Sequence, residues 1–262
     1  MGYQFIHVNY YSRVASKKSS SKKSISDVLS EVRRVPSHSL HVAKPAAPKL
    51  LLGSLESIES DVETYAASVV DGLGRKLRKD GLCLLAGVVS VPDDLPEVEW
   101  KYYQKAAIEF LKNEYKDCLK AVIEHDDEAH RHIHFYAIPR LKEPFDSICC
   151  GRNAQRLAAV ANEIKSVQTK AYCDAMRDFQ KRFHRRVSKS FGLSRFGPRR
   201  RRLTRAAWRI EQQKEKEDAE YVKNLLAQLN KEKETANKAF AIAKKAVNLY
   251  EKFKLKHSPP FA

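Results

Sequence analysis

Apolar and polar positions alternate along the chain with two recognisable periods. Residues 3–11, rich in β-branched and aromatic side chains, predict a first strand. Residues 25–34 carry Ile25, Val28, Leu29 and Val32 at helical spacing, and residues 55–73 also predict a helix. Between them Pro36, Pro45 and Pro48 impose an extended stretch through His38 and His41. The continuous apolar run 82–91 has strand length and predicts a central strand. Residues 96–115 return to a helical pattern behind Asp93-Asp-Leu-Pro96, and 119–124 and 131–138 predict two further strands. Their short connection suits an antiparallel pair. One helix, or two with a break, is expected over 158–191, and a long helix over 203–256, which lacks Gly and Pro. This order gives an α+β class, divided into a catalytic body over 1–203 and a helical extension over 204–262.

Charge narrows the partner. The chain has 262 residues, and 49 Lys+Arg against 32 Asp+Glu leave a net charge of +17. Such an excess attracts polyanions, because each phosphate contact releases condensed counterions. Residues 181–209 hold 12 Lys or Arg and no acid, with Phe183, Phe191, Phe196 and Trp208 interleaved. The reading is aromatics mainly in the core and arginines mainly on phosphates. Arg199, Arg200, Arg201, Arg202 and Arg205 form the sharpest patch, and Lys22 and Lys23 in the serine-lysine run 16–24 add a mobile clamp. Five cysteines without CxxC spacing point to a reducing, cytoplasmic setting rather than a disulfide framework, and no run is long and apolar enough for a membrane span.

The chemistry concentrates in residues 125–134. On a strand His132 and His134 share a face with Tyr136, while Ile133, Phe135 and Ala137 take the core side. His125, at the end of the preceding strand, can approach them across the turn. Three imidazoles leave coordination positions open, as a catalytic rather than a structural metal requires. Asp127 and Glu128 in the turn are either ligands or partners that orient an imidazole, and His130 is read as a bystander.

The spacing His125-x-Asp127-Glu128-x-x-Arg131-His132-x-His134 resembles the HxDExxPHxH motif of MobV-type plasmid mobilisation relaxases, within the HUH endonuclease class. Arg131 stands where that family has proline. Weaker similarity extends over about residues 1–210, through Tyr3-Gln-Phe-Ile-His-Val8, the segment 75–87 and the segment 200–208. The resemblance implies a five-stranded antiparallel sheet flanked by helices, with a divalent ion, Mn²⁺ or Mg²⁺, at its centre. It also implies metal-dependent nicking and rejoining of plasmid DNA at a transfer origin, single-stranded and duplex, through a covalent 5′-phosphate. Such chemistry needs a nucleophile that conserves the phosphodiester energy. The family's use of an N-terminal histidine favours His41, in a Pro-bounded segment with the matching His-Val-x-x-Pro element. Tyr10 and Tyr11 are the alternatives, and Glu128 is placed with the catalytic residues. His7 is read as core or a neighbour of the metal. The neighbouring readings are an HUH replication initiator or transposase, or a non-catalytic basic DNA-binding protein with a structural metal. The C-terminal helix, with Val222, Leu225, Leu229, Ala236 and Ala239 at 3-4 spacing, is expected to self-associate, to recruit an accessory mobilisation protein, or to pack on the body.

Overall fold

The computed structural model describes residues 2–40, 42, 44–71, 73–92, 95–128, 130–197 and 205–257. Two compact units divide the chain, Met1–Pro198 and Arg199–Ala262. In the first, five strands form one antiparallel sheet: β1 (Phe5–Ser12), β2 (Lys49–Gly53), β3 (Leu82–Ser90), β4 (Leu119–His125) and β5 (His132–Ala137), in the order β1-β3-β5-β4-β2. Helices α1 (Ile25–Val32), α2 (Ile58–Ser68), α3 (Glu97–Tyr115), α4 (Cys150–Val160) and α5 (Lys165–Arg186) complete this unit. The second unit contains α6 (Arg205–His257), on which Val222, Leu225 and Leu229 are exposed. The α+β class, the antiparallel five-stranded sheet and the long C-terminal helix are as expected.

Strand alternation builds two cores, one on each face of the sheet. Val89, Val122, Ile133, Phe135 and Ala137 pack against Trp100, Tyr103 and Phe110 of α3 and Phe179 and Phe183 of α5. Leu84, Ala86, Ala121, Ile123 and Tyr136 pack against Val28, Leu29 and Val32 of α1 and Ile58, Val62 and Tyr65 of α2. The sheet is therefore covered on both sides, and the side opposite Phe135 is a core as well as a site.

Several boundaries depart from the periodic reading. The apolar run at β3 is an interior strand, but β5 is the central one. The stretch after Pro48 is not merely extended: Lys49–Gly53 adds an edge strand to β4. Gly53 makes that approach possible, with φ +74° and a Cβ position that would lie 1.8 Å from the Lys120 carbonyl oxygen. The second helix ends at Ser68, where Asp71 accepts the Leu73 and Arg75 amides and turns the chain. The fourth helix begins at Cys150, and the break before α5 falls at Asn162, with φ +57°. The serine-lysine run expected to be mobile is instead tied to β1. Ser20 Oγ accepts the Tyr10 amide at 3.0 Å and Ser19 Oγ the Ser12 amide at 3.3 Å. Ser24 then opens α1 through a reciprocal cap with Asp27.

Candidate metal centre

The register of β4 against β5 assembles the histidines. His125, the last residue of β4, is the direct cross-strand partner of His132, the first of β5. Partners in an antiparallel pair project to the same face, and His134 joins them two residues on. Ring centroids are separated by 5.6 Å for His125–His132, 5.1 Å for His125–His134 and 4.9 Å for His132–His134. Each ring offers a nitrogen, and these atoms lie within 4.8 Å of one another.

Hydrogen bonds decide which nitrogen is offered. The His125 Nε2–H donates to the Val32 carbonyl at the end of α1 at 3.0 Å. Its Nδ1 is buried and has no hydrogen-bond partner among the described residues. The His132 Nδ1–H donates to the His130 carbonyl at 2.8 Å, which leaves Nε2 directed inward. Backbone carbonyls of this kind fix tautomer and ring orientation in metal-binding histidines. Burial, aided by the neighbouring imidazoles, holds His134 well below the usual histidine range, and burial also lowers His125. Both are neutral donors near pH 7. An orphaned buried nitrogen beside two further imidazoles fits a divalent cation.

The acidic turn is held from outside the sheet. Arg34 Nε donates to Asp127 Oδ2 at 2.8 Å, and its NH2 donates to Asp127 Oδ1 at 2.6 Å and to Glu128 Oε1 at 2.8 Å. Asp127 Oδ2 also accepts the Ala46 amide at 3.0 Å. Burial opposes ionisation of Asp127, but Arg34 and the Ala46 amide together hold its pKa down at about 2. Glu128 Oε1 lies 3.8 Å from His132 Nε2. Arg34 itself has φ +58°, a left-handed conformation that costs a non-glycine residue roughly 1–2 kcal/mol. Sequence reasoning missed this residue, because nothing separates it from Arg33, which pairs with Glu59 on the surface.

A cavity of about 370 Å³ lies over the histidine face. Tyr11, Lys23, Glu31, His7 and His130 line it together with the three histidines. Lys23 forms an ion pair with Glu31. His7 is exposed there and bonds Asn9 at 3.0 Å, so it is not a core residue. His130 contributes its backbone carbonyl to His132.

Tyr10 is a correction: alternation sends it to the other face of β1. Its hydroxyl accepts the Cys149 thiol at 2.8 Å and lies 3.3 Å from the Tyr172 hydroxyl. Burial, with Cys149 beside it, raises its pKa. The structure does not bring it to the histidines. His41, Arg199, Arg200, Arg201 and Arg202 lie outside the described residues, and Arg205 is the first residue of α6. Lys22 is exposed beside Lys23. Arg131, at the motif's departure, forms an ion pair with Glu97 at 2.9 Å. Within the basic segment Phe183 is core, Phe196 is exposed under Arg195, and Arg182 pairs with Glu114 rather than standing free.

No protein-family profile and no curated protein sequence matches the chain. Solved structures do. A crystal structure of the MobM relaxase domain (MOBV; Mob_Pre), Mn-bound and in complex with plasmid oriT DNA, superposes with a TM-score of 0.50 at 15% identity, over 79% of this chain and 98% of that one. This chain has the fold of a MOBV relaxase domain. A second Mn-bound MobM complex with oriT DNA gives 0.49 at 14% identity, over 79% and 97%. In this relaxase fold the converging histidines sit on the central strand β5 and its neighbour β4, under the end of α1. No helix among the described residues is long and apolar enough to cross a membrane.

Proposed function

We propose that the chain is a metal-dependent, site- and strand-specific DNA nicking and rejoining enzyme acting at a plasmid transfer origin. The observation that carries this reading is the convergence of three imidazoles, with a buried Nδ1 on His125 that has no hydrogen-bond partner among the described residues. The fold it shares with a Mn-bound, oriT-bound relaxase domain and the net charge of +17 support it. His125, His132 and His134 hold the divalent ion, Mn²⁺ or Mg²⁺. When bound, that ion supplies positive charge to the non-bridging oxygens of the scissile phosphate. Glu128, whose Oε1 lies 3.8 Å from His132 Nε2, is assigned to the catalytic residues on this reading.

His41 is the first choice of nucleophile, and Tyr11 is the alternative already on the cavity wall. In either case the attacking nitrogen or oxygen forms a bond to phosphorus as the P–O3′ bond breaks. The 3′ oxygen leaves as a hydroxyl after taking up a proton. The covalent 5′-phosphate preserves the energy for the reverse step. The body over 1–203 carries this chemistry in the cytoplasm. Arg199, Arg200, Arg201, Arg202, Arg205, Lys22 and Lys23 contact DNA backbone, and the extension over 204–262 serves self-association or an accessory partner.

The test uses supercoiled plasmid carrying the cognate transfer origin, the full chain and Mn²⁺. Relaxed product with protein on the 5′ end is expected, and peptide mapping of the adduct identifies His41. Attachment at Tyr11 would transfer the nucleophile's role to the tyrosine. Tight binding to the origin without relaxation would favour a non-catalytic DNA-binding protein. Relaxation of a replication origin but not of a transfer origin would favour an initiator.

A further inference from the structure

Two overlapping sets of donor atoms compete for His125. One is His125 with His132 and His134, and the other is His125 with Asp127 and Glu128; in each set the ligand atoms lie within 4.8 Å of one another. One ion bound through a single His125 nitrogen has to favour one set or draw on both. The two sets differ in chemistry. Three imidazoles suit nitrogen-accepting transition ions, whereas a site with two carboxylates suits hard, oxygen-seeking ions such as Mg²⁺.

Arg34 stands between these outcomes. Its guanidinium engages both oxygens of Asp127 and one oxygen of Glu128, at 2.6–2.8 Å. The Arg34 and Asp127 side chains are only 4% and 3% exposed, so water does not compete for them. The planar fork of an arginine matches a carboxylate in two places and keeps its proton at every working pH. A lysine would offer one attachment point and no fork. The backbone adds a second, independent indication. Arg34 sits just past the end of α1 with φ +58°, where glycine is the favoured residue. The chain accepts an unfavourable backbone conformation there and gains a side chain aimed into the acidic turn.

We infer that Arg34 selects the metal's donor set: by sequestering Asp127 and Glu128 it commits a divalent ion to His125, His132 and His134, and so sets the preference for transition ions over Mg²⁺. This rests on the metal reading above. With three neutral ligands the ion keeps its full double charge for the phosphate, whereas a carboxylate ligand would offset part of it. Arg34 acts through the carboxylates and is a positioning residue.

Co²⁺ titration of the full chain followed by visible absorption tests this, with Mg²⁺ as competitor. The proteins are wild type, Arg34→Gly, and Arg34→Gly combined with Asp127→Asn and Glu128→Gln. Glycine suits the left-handed backbone, so Arg34→Gly removes the side chain without adding strain. In Arg34→Gly the d–d bands are expected to weaken as oxygen ligands join. Mg²⁺ should then displace Co²⁺ at a concentration roughly tenfold lower than in wild type, as hard-ion preference for carboxylates requires. The triple variant should return both readouts to the wild-type values. Identical spectra and identical Mg²⁺ competition in wild type and Arg34→Gly would overturn the inference. So would a change that the triple variant fails to reverse, because Arg34 would then act by some route other than the carboxylates. If circular dichroism shows Arg34→Gly unfolded, Arg34→Lys takes its place: a partial shift in the same direction is expected, and no shift overturns the proposal. Folded wild type that gives no Co²⁺ spectrum would remove the metal reading itself, a result distinct from unaltered spectra in the variants.

Discussion

Single residues divide cleanly by the face of the sheet they occupy. His132 combines an inward Nε2 with an Nδ1–H fixed by the His130 carbonyl. His132→Ala is expected to lower the nicking rate by about 10²–10³-fold, the range seen when one stabilising group is removed from a preorganised site. Origin binding, measured by fluorescence anisotropy, should change by less than about threefold, because on the proposed reading most phosphate contacts come from the basic residues outside the histidine cluster. Tyr10→Phe makes the opposite case. Its hydroxyl bonds Cys149 and neighbours Tyr172 on the far face. Nicking should stay at the wild-type rate, while the lost hydrogen bond lowers unfolding free energy by about 1 kcal/mol in urea titration. A nicking defect in folded Tyr10→Phe would contradict its placement away from the histidines.

At the scale of elements, the clearest sequence signals are the reliable ones. The uninterrupted apolar run at β3 signals burial on both faces, and the alternation through β5 signals one core face and one histidine face. Strand β2 gave no such signal. Three leucines between Pro48 and Gly53 are too short a pattern, and only pairing with β4 makes them a strand. The serine-lysine run misled for a related reason: composition suggests a free loop, but the hydroxyls that anchor it find partners on β1 through folding. Histidine spacing predicted the convergence because β4–β5 register is local. Arg34 reaches Asp127 across 93 positions, and no spacing rule anticipates that. Packing between elements yields its own expectation. Gly87 of β3 faces Phe135 of β5, and an added Cβ would lie 2.1 Å from the ring. Gly87→Ala should therefore destabilise the protein by roughly 1–3 kcal/mol through overpacking, measured as a lower urea midpoint with little change in slope.

The whole molecule carries its charge unevenly, and its two units can be tested apart. With +17 overall, DNA affinity should fall steeply with salt, and the log–log slope counts the phosphates neutralised. Truncation to residues 1–203 leaves the sheet and both cores intact, and is expected to keep Mn²⁺-dependent relaxation of origin plasmid. It should also lose any concentration-dependent dimer seen for the full chain by analytical ultracentrifugation. Loss of relaxation with retained Co²⁺ binding would mean that α6, Arg205 included, is needed for substrate engagement as well as for assembly.

Helix α1 meets the histidine centre in two ways at one end, through the Val32 carbonyl on His125 and the Arg34 guanidinium on the acidic turn. A helix of eight residues anchored by Val28, Leu29 and Val32 behaves as a short lever whose fulcrum is hydrophobic packing. Its carbonyl end carries a partial negative charge, of order half an electron, toward the cluster. Lateral displacement of that lever would turn the His125 ring and loosen both carboxylates in a single motion. On the proposed metal reading, that motion would couple ligand geometry to ligand identity. Substitutions at Leu29, which has no surface exposed, should accordingly alter metal preference without touching any donor atom.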